Sequence, residues 1–291
     1  MIQCPLCSGP TRLLFHKESY PIHGCTSCRH RFAALVPDSN HVRRIYNEAY
    51  FYGGGAGYPD YLGEATLLTA HGRRYADLLR AYLPPGRLLD VGAAAGFVLQ
   101  GLVERGWQGI GLEPNPQMVH YGSRQLGLTM ITGALEQATA VLPAQMASFD
   151  LITMIQVIAH FHDLRQALTN AAALTRPGGF WLIESWNYRS WPARLLGRHW
   201  HEYSPPSVLH WFSPTGLATI AAEFGLVEVA RGRPQKWLNG AHAKSLLRYK
   251  LQTWPRAGWL DRPLSLLPDT LPIPYPNFDL FWLLLQKRVA P

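Results

Sequence analysis

The chain has 291 residues, 47% of them hydrophobic and 16% charged, enough for one large domain with an appendage and a full core. No apolar run approaches the ~18 residues of a membrane span, and "MIQCPLCSGP" has neither the basic stretch nor the apolar run of a secretory signal, so the cytoplasm is the expected compartment. The net charge of +8 is uneven: Arg231 to Pro291 holds 10 Lys or Arg against 3 Asp, a balance of +7. Such an end suits an anionic partner (phosphate, nucleic acid or a lipid surface met peripherally) or is simply a solvated face.

All four cysteines fall within the first 28 residues, as Cys4 and Cys7 in "CPLC" and Cys25 and Cys28 in "CTSC". Two C-x-x-C knuckles separated by 17 residues predict a tetrahedral Zn²⁺ site, and four thiolates leave no open position, so the ion is structural. Residues 1–36 read as a zinc ribbon, with Phe32 as a packing aromatic and "VPDSN" closing it. Residues 37–85 read as a helical linker or cap over the site that follows. This stretch is rich in tyrosine (Tyr46, Tyr50, Tyr52), has a triple-glycine joint, and offers Tyr58 and Tyr61 as pocket-lining or merely packing rings. "GRRYADLLRAYLP" has amphipathic helical spacing and stops at Pro84-Pro85.

From Arg87 the pattern alternates strand and helix. The strands are "RLLDV", "QGIGLE", "LTMIT", "FDLITMI", "FWLIES", "LVEVA" and, at the end, "LFWLLLQ". The helices follow Gly96, open at Pro116, are capped by Asp163, and start at Ser213-Pro214, and "RPGG" reads as a turn. This predicts an α/β domain over residues 86–291 with a parallel sheet covered on both faces. Insertions lie at about 186–212 and 235–277.

In such a sheet the ligand sits beyond the carboxyl ends of the strands. The first strand ends at Asp90 and enters "VGAAAG", which lacks the G-x-G-x-x-G of dinucleotide turns, and no phosphate-cradling P-loop occurs. The second strand ends at Glu113, 23 residues on, placed to hold ribose hydroxyls. A ribose, no phosphate and a cationic group describe S-adenosylmethionine (SAM).

From about residue 86 to 230 the chain resembles the class I SAM-dependent methyltransferases. "LLDVGAAAGF" is similar to their D-x-G-x-G-x-G motif with Ala94 in place of the middle glycine. "GIGLEPN" supplies the ribose-binding acid, and "FDLITMIQVIAHFHD" and "LTRPGGFWLIES" the fourth and fifth strands. The resemblance implies a seven-stranded Rossmann-like sheet with its last strand antiparallel. It also implies a cofactor site at Asp90, Gly92, Ala94, Gly96, Glu113, Ala134, Leu135 and Gln156, with Glu136 as a helper. Ala94 fits this turn if its φ stays negative. Ala159-His160 stands where many relatives have Glu-His, which argues against metal-assisted transfer.

The cofactor carries the methyl group, so the protein must align an acceptor and supply any base. The segment after strand five concentrates His199, His201, Glu202, Tyr203 and His210 beside Trp200 and Trp211, and as a lid it offers His201 or His210 as base, with His160 a third candidate. Aromatic packing explains the same histidines. The [DN]-P-P-[YF] signature of amino-methyltransferases is absent. The ribbon, "YNEAYF" and this core together resemble bacterial methyltransferases of secondary metabolism and surface sugars. The expected partner is therefore a small-molecule O or C acceptor, a nucleotide-linked sugar or lipid-like intermediate among the options, with Arg231, Arg233 and Lys236 available to a phosphate. The alternatives are a zinc-finger ribosomal RNA methyltransferase and a SAM-binding protein without turnover.

Overall fold

The computed structural model describes residues 2–35, 41–45, 51–53, 60–142, 148–251 and 268–289. Tyr46, Tyr50, Tyr58, "VPDSN" and much of the 235–277 insertion lie outside them. The ribbon is β1 (Thr11–Lys17), β2 (Tyr20–Cys25) and β3 (Arg31–Ala33). The core contributes β4 (Arg87–Val91), β5 (Gln108–Glu113), β6 (Thr129–Thr132), β7 (Phe149–Ile155) and β8 (Thr175–Trp186). Then come β9 (His210–Trp211), β10 (Leu226–Gly232), β11 (Trp237–Leu238), β12 (Ile273–Pro274) and β13 (Leu280–Lys287).

The large sheet has seven strands in the order β10-β13-β8-β7-β4-β5-β6, with β13 antiparallel to both of its neighbours. Side chains alternate across a strand, and the double apolar letters of the sequence follow from that. Leu89, Ile152, Ile183 and Leu283 enter one core, whereas Leu88, Leu151, Leu182 and Leu284 enter the other. The second core lies under helices Ala65–Leu79 and Phe97–Val103. These two helices approach so closely that a Cβ on Gly72 would sit 2.1 Å from the Val98 carbonyl oxygen.

Two features depart from the sequence reading. "RPGG" does not end an element: β8 runs through it, pairing Thr175 with Phe149 and Phe180 with Leu151, so the extra residues bulge out with Gly178 at φ +74°. The segment 187–212, expected as a lid, is docked on the ribbon over much of its length. Its strand β9 pairs with β3 as the fourth strand of the ribbon sheet. Tyr188, Trp200, Tyr203 and Trp211 pack there against Ile22 and Ala33. No helix among the described residues is long and apolar enough to cross a membrane.

Candidate active site

The turn after β4 bends because Gly92 (φ +67°) and Gly96 (φ +89°) both occupy the left-handed region. Ala94 is left-handed too, at φ +48°, contrary to the negative φ expected of it. The compensation is local: its N–H donates to Glu113 Oε2 at 2.9 Å, a charge-assisted bond that the left-handed turn makes available. Glu113 Oε1 accepts from the Asn115 N–H at 2.8 Å, and Asn115 caps helix Pro116–Gln125. Asp90 accepts from the Thr153 hydroxyl at 2.6 Å.

Asp90 and Glu113 are 2% and 4% exposed. Burial pushes both carboxyls up to about 7, and Asp90 adds to the shift on Glu113. Among the described residues no cation pairs with these two desolvated acids, which suit a ligand that brings positive charge and hydroxyls. Further along the strand ends, Ala134 precedes the 3₁₀ turn Leu135–Gln137, and Leu135 is buried. Glu136 points elsewhere, accepting from the His162 backbone N–H at 2.9 Å and pairing with its ring.

A second polar cluster, not anticipated from the sequence, sits at the ends of β7 and β8. Glu184 is fully buried and takes His71 Nε2 at 2.8 Å and the Tyr75 hydroxyl on one oxygen, and Gln156 Nε2 at 2.5 Å on the other. Burial alone would raise the Glu184 carboxyl, but His71, Lys236 and Tyr75 together bring it down to about 2. The side chain of Gln156, an expected cofactor residue, bridges this cluster: its Oε1 accepts from Lys236 Nζ at 2.9 Å, and its backbone is left-handed at φ +56°. The Lys236 ammonium also lies 5.5 Å from the Trp186 ring centre and 5.7 Å from that of Tyr275. Burial lowers its pKa, against the pull of Glu184, Glu202, Glu64 and Asp279.

The three candidate histidines separate. His201 lies against the two rings that flank Lys236, its Nε2 3.4 Å from the Tyr275 hydroxyl and its ring edge-on to Trp186. His160 places Nδ1 2.8 Å from the Ser207 carbonyl, and burial lowers its pKa. His210 faces the ribbon, 6% exposed, with Nε2 2.9 Å from the Phe161 carbonyl and Nδ1 3.1 Å from His30 Nε2. A carbonyl only accepts, so His210 Nε2 carries the proton and Nδ1 receives one from His30. Both ring nitrogens are then engaged, leaving none for an acceptor.

Beyond His30 lies the cysteine cluster. The ligand sulfurs of Cys4, Cys7, Cys25 and Cys28 all lie within 4.8 Å of one another. Cys4–Cys28 and Cys7–Cys25 are 3.6 and 3.5 Å apart, too far for a disulfide and close to the ~3.8 Å edge of a tetrahedral zinc–thiolate site. The Cys28 N–H turned toward Cys25 Sγ at 3.4 Å is what a thiolate in a metal knuckle requires.

A family model described as "Methyltransferase domain" matches residues 68–230, more than half of the chain. The protein belongs to that family. Its seven-stranded sheet is that of a class I methyltransferase domain, and its N-terminal four-cysteine cluster could bind zinc. Its curated relatives include a ubiquinone biosynthesis O-methyltransferase of Rhodopseudomonas palustris, 28% identical over 62% of this chain and 63% of the relative. A protein of the same name from Leptothrix cholodnii is 24% identical over 45% of this chain and 63% of its own length. The chain thus matches under two thirds of these relatives. Among solved structures, magnesium protoporphyrin IX methyltransferase from Synechocystis with bound SAH overlays at TM-score 0.55 and 13% identity, covering 86% of this chain and all of that one. A SAM-dependent methyltransferase from Archaeoglobus fulgidus gives 0.51 at 17% identity, covering 77% and 94%. These likenesses establish the fold of the methyltransferase.

Proposed function

We propose that this methyltransferase transfers the methyl group of SAM to a hydroxyl oxygen of a small-molecule acceptor without a catalytic metal. Asp90 and Glu113 fit the cofactor: two buried carboxylates await a cation and a ribose, and Gly92 stands where a Cβ would lie 2.5 Å from Val157. When bound, SAM supplies a methyl on a sulfonium carbon. Everything else falls to the chain's own side chains.

One observation carries the choice of a hydroxyl, the Lys236 ammonium held between Gln156 and two aromatic rings at the ends of β7 and β8. A desolvated ammonium stabilises an oxyanion and so lowers the pKa of a hydroxyl brought against it, the task a metal performs elsewhere. Glu184, pinned by His71 and Tyr75, keeps Gln156 oriented toward that ammonium. His201 lies against the rings that flank this ammonium and is the histidine assigned to take the proton. The O-methyltransferase relatives favour the same acceptor atom. The cysteine cluster fits Zn²⁺ in a structural role, its four sulfurs closing the coordination shell.

Lys236→Met tests the reading. Turnover of a hydroxyl acceptor should fall at least tenfold, recover partly as pH rises and the acceptor ionises unaided, and stay indifferent to added Mg²⁺ throughout. SAM affinity should change less than twofold. Full turnover in the variant, or a product methylated on nitrogen, contradicts the assignment.

A further inference from the structure

A cavity of about 390 Å³ opens on the same rim of the sheet, between the turn after β8, the end of β10 and the start of β13. Its lining includes Arg189, Trp191, Arg231, Arg233, Phe278 and Phe281. β13 runs antiparallel to both β8 and β10, so the cavity lies at the carboxyl ends of β8 and β10, the side on which Asp90, Glu113 and Glu184 end their strands. Gly232 and Glu184 both pair with Trp282 of β13. Two strand spacings, about 10 Å, therefore separate the cavity's edge from the backbone of Glu184.

Its electrostatics are unbalanced. Arg231 is held by both oxygens of Glu228 and reaches the Thr215 hydroxyl at 3.5 Å. Arg231 lies on β10 and Arg233 just past its end, and both line the cavity. Among the described residues no carboxylate forms an ion pair with Arg189 or Arg233. Two guanidinium groups without counter-charges thus line one recess, and a guanidinium presents parallel N–H donors that match phosphate oxygens. Beside them Trp191 and Phe278 are 59% and 46% exposed, their ring centres 5.7 Å apart. Large rings that neither pack inward nor shed water form a wall for a flat or apolar group attached to the anion.

We propose that this cavity anchors a phosphoryl group carried by the methyl acceptor, with Arg189 and Arg233 on its oxygens and Trp191 and Phe278 against the group esterified to it. The assignment rests on the reading of the Lys236 chamber as the place of transfer and names the acceptor class. The distance of about 10 Å is the reach of a phosphate ester whose hydroxyl enters the chamber while its anion stays at the rim.

The test titrates the full-length protein calorimetrically with inorganic pyrophosphate and a nucleoside diphosphate, and by sedimentation with phosphatidylglycerol vesicles against phosphatidylcholine ones. Arg189→Ala/Arg233→Ala is compared with Arg194→Ala/Arg198→Ala, two exposed arginines of the neighbouring segment outside the cavity lining. SAM affinity is measured in each protein. The expected result is phosphoryl binding weakened at least tenfold in the first variant and unchanged in the second, with SAM affinity constant. Binding of pyrophosphate or nucleotide assigns a soluble phosphate ester. Binding of phosphatidylglycerol alone, lost in the same variant, assigns a lipid headgroup. Equal binding of every probe by wild type and the first variant, or an equal loss in the second, overturns the proposal. Because inorganic pyrophosphate carries no alcohol hydroxyl, its binding survives a failure of the Lys236 assignment, and Lys236→Met should bind it as wild type does, so the two can be told apart.

Discussion

At residue 94 a methyl group occupies a left-handed position that glycine fills more easily, and its N–H is turned by that conformation onto Glu113. An alanine there costs about 1 kcal/mol. Glycine would relieve that strain while adding unfolded-state entropy, so Ala94→Gly should leave thermal stability equal or slightly raised, whereas Ala94→Val should lower it by more than 1 kcal/mol and weaken SAM binding. Thermal denaturation with and without SAM measures both; a valine variant as stable as wild type contradicts the strained turn. Asp90 and Glu113 are legible in the sequence because each is the acid that ends an apolar strand before a turn. Glu184 carries the same mark in "FWLIES". Its role was not legible because its partners His71 and Tyr75 lie 113 and 109 residues away on a helix that periodicity describes only as amphipathic. Ala94 misleads for a different reason, since side-chain identity sets the cost of a positive φ but a hydrogen bond elsewhere decides whether it is adopted.

Among elements, β9 is the one whose place the sequence hides. An aromatic, histidine-rich segment after β8 reads as a lid, because composition does not say which surface it covers. The structure docks it on the ribbon: Arg31 Nη1 donates to the Tyr203 hydroxyl at 2.6 Å and its guanidinium stacks 4.1 Å from the Tyr188 ring centre. The Tyr188 hydroxyl in turn donates to the Arg29 carbonyl at 2.9 Å. Ribbon and core therefore share one packed interface, and if the cysteine cluster holds Zn²⁺ as proposed, so small a module should depend on that ion to fold. Chelation should unfold the ribbon, expose Trp200 and Trp211, red-shift tryptophan emission and lower Tm, with Zn²⁺ restoring all three. His210→Ala should lower Tm by several degrees, at about 1–3 kcal/mol for the buried partners it strands, while turnover per folded molecule persists. Unchanged emission on chelation, or a stable His210 variant without turnover, contradicts this division of labour.

For the molecule as a whole, the seven strands with an antiparallel final strand followed from the resemblance, and the alternating strands and helices required only a parallel sheet; the strand order came from the structure. The docking of ribbon on core followed from neither. The buried acids give the protein a characteristic response to pH. Asp90 and Glu113 are raised to about 7, so their contribution to stability is fully present below the ordinary carboxyl range near 4 and is lost as pH rises through 7. Glu184, lowered to about 2, works oppositely: its contribution holds above about 4.5 and is lost as pH falls toward 2. A cationic ligand favours the ionised acids, so the stabilisation that SAM confers should grow between pH 6 and 8. Melting curves with and without SAM across that range read it directly; a constant increment contradicts two acids ionising on binding.

Calorimetric titration of SAM into wild type, Asp90→Asn and Glu113→Gln, in buffers of different ionisation enthalpy at pH 6.5, tests the central claim most directly. The expected result is proton release on binding to wild type and at least tenfold weaker binding in each variant, with the proton release reduced. Wild-type affinity in both variants would contradict the assignment of these two carboxylates to the cofactor.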